Sequence, residues 1–164
     1  ESSKIRNAKY IGPLSMLSSN PSPKEMPINI AVILSGPEPS RSELELSLTE
    51  ILESKKKLHI VLIRGSDIIA ISPTLLNSVF RTVIDIADSD TILKIMSNAN
   101  QIICRSGYST IMDLEAIGLK AILIPTNNQP EQQYLAEFHS TRGYKSINEK
   151  DITQDPSLLL SLLD

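Results

Sequence analysis

The feature that most limits the fold is a regular alternation of short apolar runs and longer amphipathic segments along the chain. Most of the apolar runs show no alternation of polar and apolar residues, which is typical of strands buried on both faces. The runs are residues 28–34, 58–63, 82–86, 101–104, 121–124 and 144–147. This alternation predicts β-α-β units. It therefore predicts a single α/β domain of the doubly wound, Rossmann-like kind, whose parallel sheet is covered on both faces.

The segments between the apolar runs have the spacing of amphipathic helices. Ser40 opens the first predicted helix, and Glu43 follows three residues later at the spacing of a capping box. The apolar run at 68–71 is short, and the pattern gives 73–79 no definite type. Further helices are predicted over 90–99, 108–117, 131–141 and 156–163.

The first 27 residues differ from the rest in composition. They are polar and contain four prolines and a serine-rich stretch over 15–22, which is typical of a linker. The sequence therefore predicts a linker over 1–27 and one domain over 28–164. Because the first residue is Glu1 and not Met, we expect the chain to be a piece of a longer protein.

Composition and charge exclude several classes of function. The net charge is −3 and tryptophan is absent, which argues against binding to nucleic acid or to an anionic membrane surface. The only cysteine, Cys104, excludes an internal disulfide and a cysteine-based zinc site, and its apolar neighbours predict a buried, reduced thiol. No apolar run approaches the roughly 18 residues that span a bilayer, and no signal peptide is present. These features predict a cytoplasmic protein.

The best-known nucleotide and hydrolase motifs are absent from the sequence. It lacks GxGxxG, GxxxxGK[ST] and GxSxG. His59 and His139 lie in a predicted strand and helix without evident partners, which favours structural roles. Asp88-Ser89-Asp90 resembles a metal-binding DxD pair, but its place just before a helix favours capping. We therefore predict neither a metal nor a cofactor.

The segment with the most chemical content runs from 102 to 114. A strand ends there, Ser106 and Gly107 turn the chain, and a helix begins with its first amides unpaired. Such a helix terminus favours a phosphate, and glycine permits close approach. Asp113 lies on the same side of this helix as Thr110. It is placed to bind ribose hydroxyls or to form a capping pair with Thr110, and the spacing favours neither.

The sequence over 102–136 also carries a family resemblance. Cys104-Arg105-Ser106-Gly107 is followed by Thr110, Asp113, Gly118-Leu119, Ile124-Pro125 and Gln132-Gln133-Tyr134. This series resembles the C-terminal half of GT-B glycosyltransferases, namely the glycosyltransferase family 28 C-terminal domain. The likeness is greatest to bacterial transferases that add N-acetylglucosamine to a lipid-linked peptidoglycan precursor, and it is looser over 28–86.

The resemblance implies a domain that binds a nucleotide-diphosphate sugar, usually UDP-linked, and that works with an N-terminal half. That half would bind the acceptor and supply the catalytic base, so no catalytic residue is assigned here, and any membrane association would come through it. Ser106 and Gly107 would face the diphosphate, Asp113 the ribose, and the two glutamines the sugar and phosphate. The implied donor-binding residues are Gly36, Arg41, Arg105, Ser106, Gly107, Thr110, Asp113, Asn128, Gln132 and Gln133.

Two segments depart from the family pattern. The first loop, normally glycine-rich, contains Pro37 and Pro39, which stiffen it and remove two N–H donors, although Arg41 still has a place near the donor charge. The tract before the glutamines, 126–131, also differs. Two alternatives remain open: a non-catalytic module that binds nucleotide sugars, and a nucleotide-sugar 2-epimerase, which shares the fold and needs more acid–base groups.

Overall fold

The computed structural model describes residues 27–68 and 70–163, so residues 1–26 of the predicted linker lie outside the described part. Six strands and seven α-helices alternate through these residues. Their bounds are β1 Ile28–Ile33, α1 Ser40–Leu52, β2 Ile60–Ile63, α2 Pro73–Val79, β3 Thr82–Ile84, α3 Ser89–Asn98, β4 Ala99–Cys104, α4 Tyr108–Ala116, β5 Ile122–Leu123, α5 Pro130–Ser140, β6 Lys145–Ser146, α6 Glu149–Gln154 and α7 Pro156–Leu163.

The strands form one parallel sheet in the order β3-β2-β1-β4-β5-β6. Strand β1 is central, and its Ile30 lies beside Ile60 of β2 on one side and Gln101 of β4 on the other. The chain moves outward from β1 to β3, returns through α3 to β4, and then moves outward again. This order confirms the predicted doubly wound, Rossmann-like fold.

Helices cover both faces of the sheet, and each face has its own apolar layer. One layer joins α3, α4 and α5 to the strands through residues such as Met96, Ile111 and Leu135. The other layer joins α1, α2, α6 and α7 through residues such as Leu48 and Ile152. Burial on both faces explains why the strands contain almost continuous apolar runs.

The start of α1 differs from the sequence prediction. The predicted capping box of Ser40 and Glu43 is wrong, because Pro39 is the N-cap residue and makes no side-chain capping bond. Instead, the carboxylate of Glu38 accepts a hydrogen bond from the Ser42 amide at 3.2 Å. The prolines at 37 and 39 move the start of the helix, so a carboxylate in the preceding loop takes over the capping role.

Several local predictions are confirmed. Asp88 caps α3, since its carboxylate accepts a hydrogen bond from the Thr91 amide at 2.8 Å. Cys104 is a free, buried cysteine, and burial raises the pKa of its thiol to about 12. The segment of undefined type is α2, with Pro73 in its first turn. Helix α6 was not predicted.

None of the helices in the described part of the chain is long and apolar enough to cross a membrane.

Candidate functional site

The sheet order places the switch of chain direction between β1 and β4. The connections after these neighbouring strands leave toward opposite faces, so a crevice opens at their carboxyl ends. Gly36 lies in the connection after β1, and Arg105, Ser106 and Gly107 form the connection after β4. Two stretches of predicted site residues, 70 positions apart in the sequence, are thereby brought to one edge.

The turn after β4 ends in a helix terminus with unpaired amides. Gly107 is the N-cap of α4 and has no side chain with which to bind the first amides. The first backbone bond of the helix runs from the Ile111 amide to the Gly107 carbonyl at 3.1 Å. The amides of Tyr108, Ser109 and Thr110 therefore precede the helical ladder, and such amides attract anions.

Ser106 joins this turn to helix α5. Its side chain is fully buried, and the hydroxyl donates a hydrogen bond to the Gln132 carbonyl at 2.8 Å. Thr110 and Asp113 lie in the following helix, both half-buried, with Asp113 in its middle. Since Gly107 is the N-cap, Asp113 lies beyond the capping position, in the second turn of the helix.

The loop after β1 has a different character. Gly36 has a φ of 105°, a left-handed conformation that glycine adopts without strain. Arg41 follows in the first turn of α1, but its side chain is only 1% exposed. Its guanidinium donates to Glu38 at 2.6 Å and to Glu45 at 2.8 Å. The charge of Arg41 is therefore neutralised by two carboxylates within the protein.

A buried ion network that was not predicted continues from Arg41. Glu45 has no exposed surface, and it accepts hydrogen bonds from Arg41 and from Arg64, which follows β2. Arg64 also donates to Asp85, after β3, at 2.8 Å and to the Ile68 carbonyl. Hydrogen bonds with the two carboxylates raise the pKa of Arg64, so its charge is fixed. The network ties together the loops after β1, β2 and β3.

Arg105 has a similar role on the other side of the switch. Its side chain is 1% exposed and donates to Glu149, the first residue of α6, at 2.8 Å. It also donates to the carbonyl and the hydroxyl of Ser40, both at 2.9 Å. In this structure the predicted arginines Arg41 and Arg105 both bind protein groups.

The two glutamines at the start of α5 occupy different environments. The Gln132 side chain accepts hydrogen bonds from the amide and the hydroxyl of Thr126 and donates to Gln129. Gln133 is exposed and lines an open cleft of about 600 Å³ near the carboxyl ends of β5 and β6. Asn128, with a φ of 61°, lines the same cleft. Lys150 and Asp151 also line it.

The predicted residues therefore separate by environment. Gly107, Thr110, Asp113, Asn128 and Gln133 are exposed or half-buried. Arg41, Arg105, Ser106 and Gln132 bind other parts of the protein through their side chains. Within the described ranges, no group of three or more His, Cys, Asp or Glu residues is arranged to hold a metal ion. The edge presents unpaired backbone amides together with polar side chains, including the charged Asp113, Lys150 and Asp151.

The fold belongs to a recognisable class. The crystal structure of Acinetobacter baumannii MurG matches this one with a TM-score of 0.67 at 19% identity, covering 85% of this chain and 42% of that chain. A glycotransferase of kitacinnamycin matches with a TM-score of 0.57 at 16% identity, covering 82% and 34% of the two chains. The architecture is that of one half of a GT-B glycosyltransferase.

The family follows from the sequence. Residues 36–163 match the model of the glycosyltransferase family 28 C-terminal domain, and the chain belongs to this family.

Two curated relatives carry the name UDP-N-acetylglucosamine--N-acetylmuramyl-(pentapeptide) pyrophosphoryl-undecaprenol N-acetylglucosamine transferase. The one from Actinobacillus pleuropneumoniae serotype 5b is 36% identical over 76 residues, or 45% of this chain and 21% of the relative. The one from Haemophilus influenzae strain PittGG is 39% identical over 67 residues, or 40% and 18%. The matched segment thus spans about a fifth of each relative.

Proposed function

We propose that this chain is the donor-binding part of a glycosyltransferase and binds a nucleotide-diphosphate sugar, most simply a UDP-sugar. The observation that carries the proposal is the open N-terminus of α4 at the β1/β4 switch, with Asp113 less than two turns along the helix. Amides at a helix terminus suit a diphosphate, and a carboxylate suits the paired hydroxyls of a ribose. The names of the curated relatives, which are UDP-N-acetylglucosamine transferases, support the same donor class.

The mechanism follows from this arrangement. As the sugar leaves the nucleotide, negative charge grows on the diphosphate, and the amides of Tyr108, Ser109 and Thr110, which precede the helical ladder, would donate hydrogen bonds to it. Because the buried arginines are neutralised by carboxylates, this stabilisation rests on backbone dipoles more than on free cations. Asn128 and Gln133, at the adjacent cleft, carry amides that both donate and accept hydrogen bonds from sugar hydroxyls.

The acceptor and the catalytic base are assigned to an N-terminal half, with residues 1–27 as the linker to it. The proposal also includes a cytoplasmic location, and it assigns any contact with a membrane to the other half.

The positions of the two histidines argue against the epimerase alternative, which needs additional acid–base groups at the site. His59 lies just before β2, at the amino end of the sheet, and contacts the Pro27 carbonyl. His139 is buried, with its ring against Tyr144, and burial lowers its pKa. Neither is placed at the crevice as an acid or base. A non-catalytic module with the same ligand differs from the donor domain only in lacking an acceptor half.

The test is titration of the purified chain with UDP and with UDP-N-acetylglucosamine by calorimetry. Asp113→Ala should weaken UDP binding by about 1.5–3 kcal/mol, the range for a hydrogen bond to a charged group. Asp90→Asn, an exposed change in the first turn of α3, is the matched control and should leave the affinity unchanged. Unchanged affinity in a folded Asp113→Ala variant would return Asp113 to a local structural role.

A second arm separates binding from catalysis. The chain should bind UDP equally well with and without a chelator, because the proposed site uses amides and not a metal. It should transfer no sugar by itself, because half a cleft cannot position two reactants, and positioning contributes roughly 7–11 kcal/mol in such reactions. Robust transfer by this chain alone would overturn the assignment of the acceptor site to another half.

A further inference from the structure

Arg105 connects several parts of the carboxyl edge. From the turn between β4 and α4, its guanidinium reaches Ser40 at the start of α1 and Glu149 at the start of α6. It also lies 3.4 Å from the Pro125 carbonyl in the connection after β5. One buried side chain therefore contacts the loops that follow β1, β5 and β6.

Glu149 supplies the negative charge that this arrangement requires. Its carboxylate is 8% exposed, and the Nη1 atom of Arg105 lies 2.8 Å from Oε2. A buried guanidinium without a counter-charge would be strongly unfavourable, because desolvation costs several kcal/mol per ion. Glu149 is thus the group that allows Arg105 to stay buried between the loops.

We propose that Glu149 is a positioning residue that, through Arg105, fixes the β4–α4 turn against the first turn of α1 and thereby sets the affinity of this edge for a nucleotide diphosphate. The inference rests on the proposed function. It assigns a role to α6, of which two further residues, Lys150 and Asp151, line the neighbouring cleft.

The alternative is that Arg105 binds the diphosphate directly. The two roles predict opposite results when the counter-charge is removed. If Arg105 binds the ligand, loss of the Glu149 charge frees a cation and leaves UDP affinity equal or higher. If Glu149 positions the turn, the same change lets the amides of Tyr108 and Ser109 move out of place, and affinity falls.

The decisive variant is therefore Glu149→Gln, which keeps a hydrogen-bond acceptor and removes the charge. We expect UDP to bind about tenfold more weakly to it by calorimetry. Glu115→Gln is the matched control, because it removes an ion pair with Lys120 from the opposite end of α4. It should bind UDP as the unchanged chain does. If Glu149→Gln does not fold, Glu149→Asp, which keeps the charge but shortens its reach, takes its place with the same expectation.

A second readout separates positioning from a loss of stability. The double change Arg105→Met with Glu149→Leu replaces the ion pair by apolar groups, and such replacements often preserve or raise stability. Urea unfolding should show the double variant at least as stable as Glu149→Gln, while its UDP affinity stays low. Recovery of affinity together with stability would show that the pair is only structural and would overturn the proposal.

Amide resonances of the nucleotide-free chain complete the test. Glu149→Gln should shift the resonances of Gly107, Tyr108 and Ser109, whereas Glu115→Gln should leave them in place. If the unchanged chain binds no UDP, the proposed function is wrong, and these resonances still decide whether Glu149 positions the turn. A folded Glu149→Gln variant with unshifted resonances, or with equal or tighter UDP binding, overturns the inference.

Discussion

The two loops that meet at the centre of the sheet are built on different principles. The loop after β1 contains two prolines, and its charges are paired in the network of Arg41, Glu38 and Glu45. The turn after β4 is short, ends in Gly107 and exposes the first amides of α4. Buried ion pairs anchor both loops, but only the turn after β4 also leaves the first amides of a helix unpaired.

This difference shows that side chains and backbone amides have separate roles at this edge of the sheet. The cationic side chains that resemble ligand-binding groups in the sequence are used inside the protein, where they bind loops to one another. Preorganised amides carry no net charge of their own to be paired, and once the turn is fixed they attract an anion without a large cost of reorganisation. The following changes probe the division, beginning with the largest expected effect.

Glu45→Ala should damage the β1 side most. It removes the carboxylate between Arg41 and Arg64 and leaves two buried guanidinium groups short of negative charge. We expect the free energy of unfolding in urea to fall by about 3–5 kcal/mol. Glu50→Ala, an exposed change on the same helix, should alter it by no more than about 0.5 kcal/mol. A loss under 1 kcal/mol for Glu45→Ala would mean that the network does not hold these loops.

Gly65→Ala tests the backbone on the same side. Gly65 has a φ of 67°, and a Cβ placed there would lie 2.6 Å from the carbonyl oxygen of Leu34, the residue after β1. We expect a loss of about 2 kcal/mol or more in unfolding free energy. Gly118→Ala is the control, since its φ of 70° is similar but nothing lies within 4 Å, and it should lose about 1 kcal/mol. Equal losses would show that close approach at Gly65 is unimportant.

Gly107→Ala makes the same chemical change on the β4 side, with the opposite outcome. Gly107 has an ordinary φ of −73°, and a Cβ there would meet nothing within 4 Å. Unfolding free energy should therefore fall by no more than about 1 kcal/mol, because alanine is a poorer N-cap residue than glycine but meets no clash here. UDP affinity should fall by about 1 kcal/mol, because the methyl group occupies space that the diphosphate needs. If stability falls and affinity does not, this turn is a structural element and not a ligand site.

His139 provides the smallest effect and lies outside both loops. Burial lowers the pKa of its imidazole, the nearby cations Arg142 and Lys120 add to this, and Glu115 opposes it. A lowered folded-state pKa means that the unfolded chain binds the proton more readily. The stability that neutral His139 contributes to the folded state is therefore fully present above about pH 6.5, and it is lost as the pH falls below that value. His139→Gln should flatten the dependence of urea unfolding on pH between 5 and 7.5 while leaving UDP affinity at pH 7.5 unchanged.

Much of the fold could be predicted because it is encoded locally. Apolar runs such as 28–34 report burial on both faces, and residues such as Asp88 cap helices over a few positions. The location of the candidate site could be predicted from equally local information, because Ser106 and Gly107 lie just after the end of a strand.

The side-chain roles at the site could not be predicted in the same way. Arg41 was expected near the donor charge, yet it is buried against Glu45, and Arg105 is paired with Glu149 across 44 positions of sequence. Spacing along the chain shows which side chains share a helix face, but not which distant carboxylate a buried arginine will meet. Helix α6 has only six residues, which is too short for a periodic pattern of apolar residues, so no pattern in the sequence pointed to Glu149.

The bond between Ser40 and Arg105 also bears on the order in which the molecule folds. It joins residues 65 positions apart, on the two sides of the central strand pair. Contacts of such long sequence separation form late, because a large loop must close before they contribute any stability. We therefore expect the binding edge to be completed only after β1 and β4 have paired. A nascent chain that has already gained most of its helices would then still lack the proposed affinity for a nucleotide.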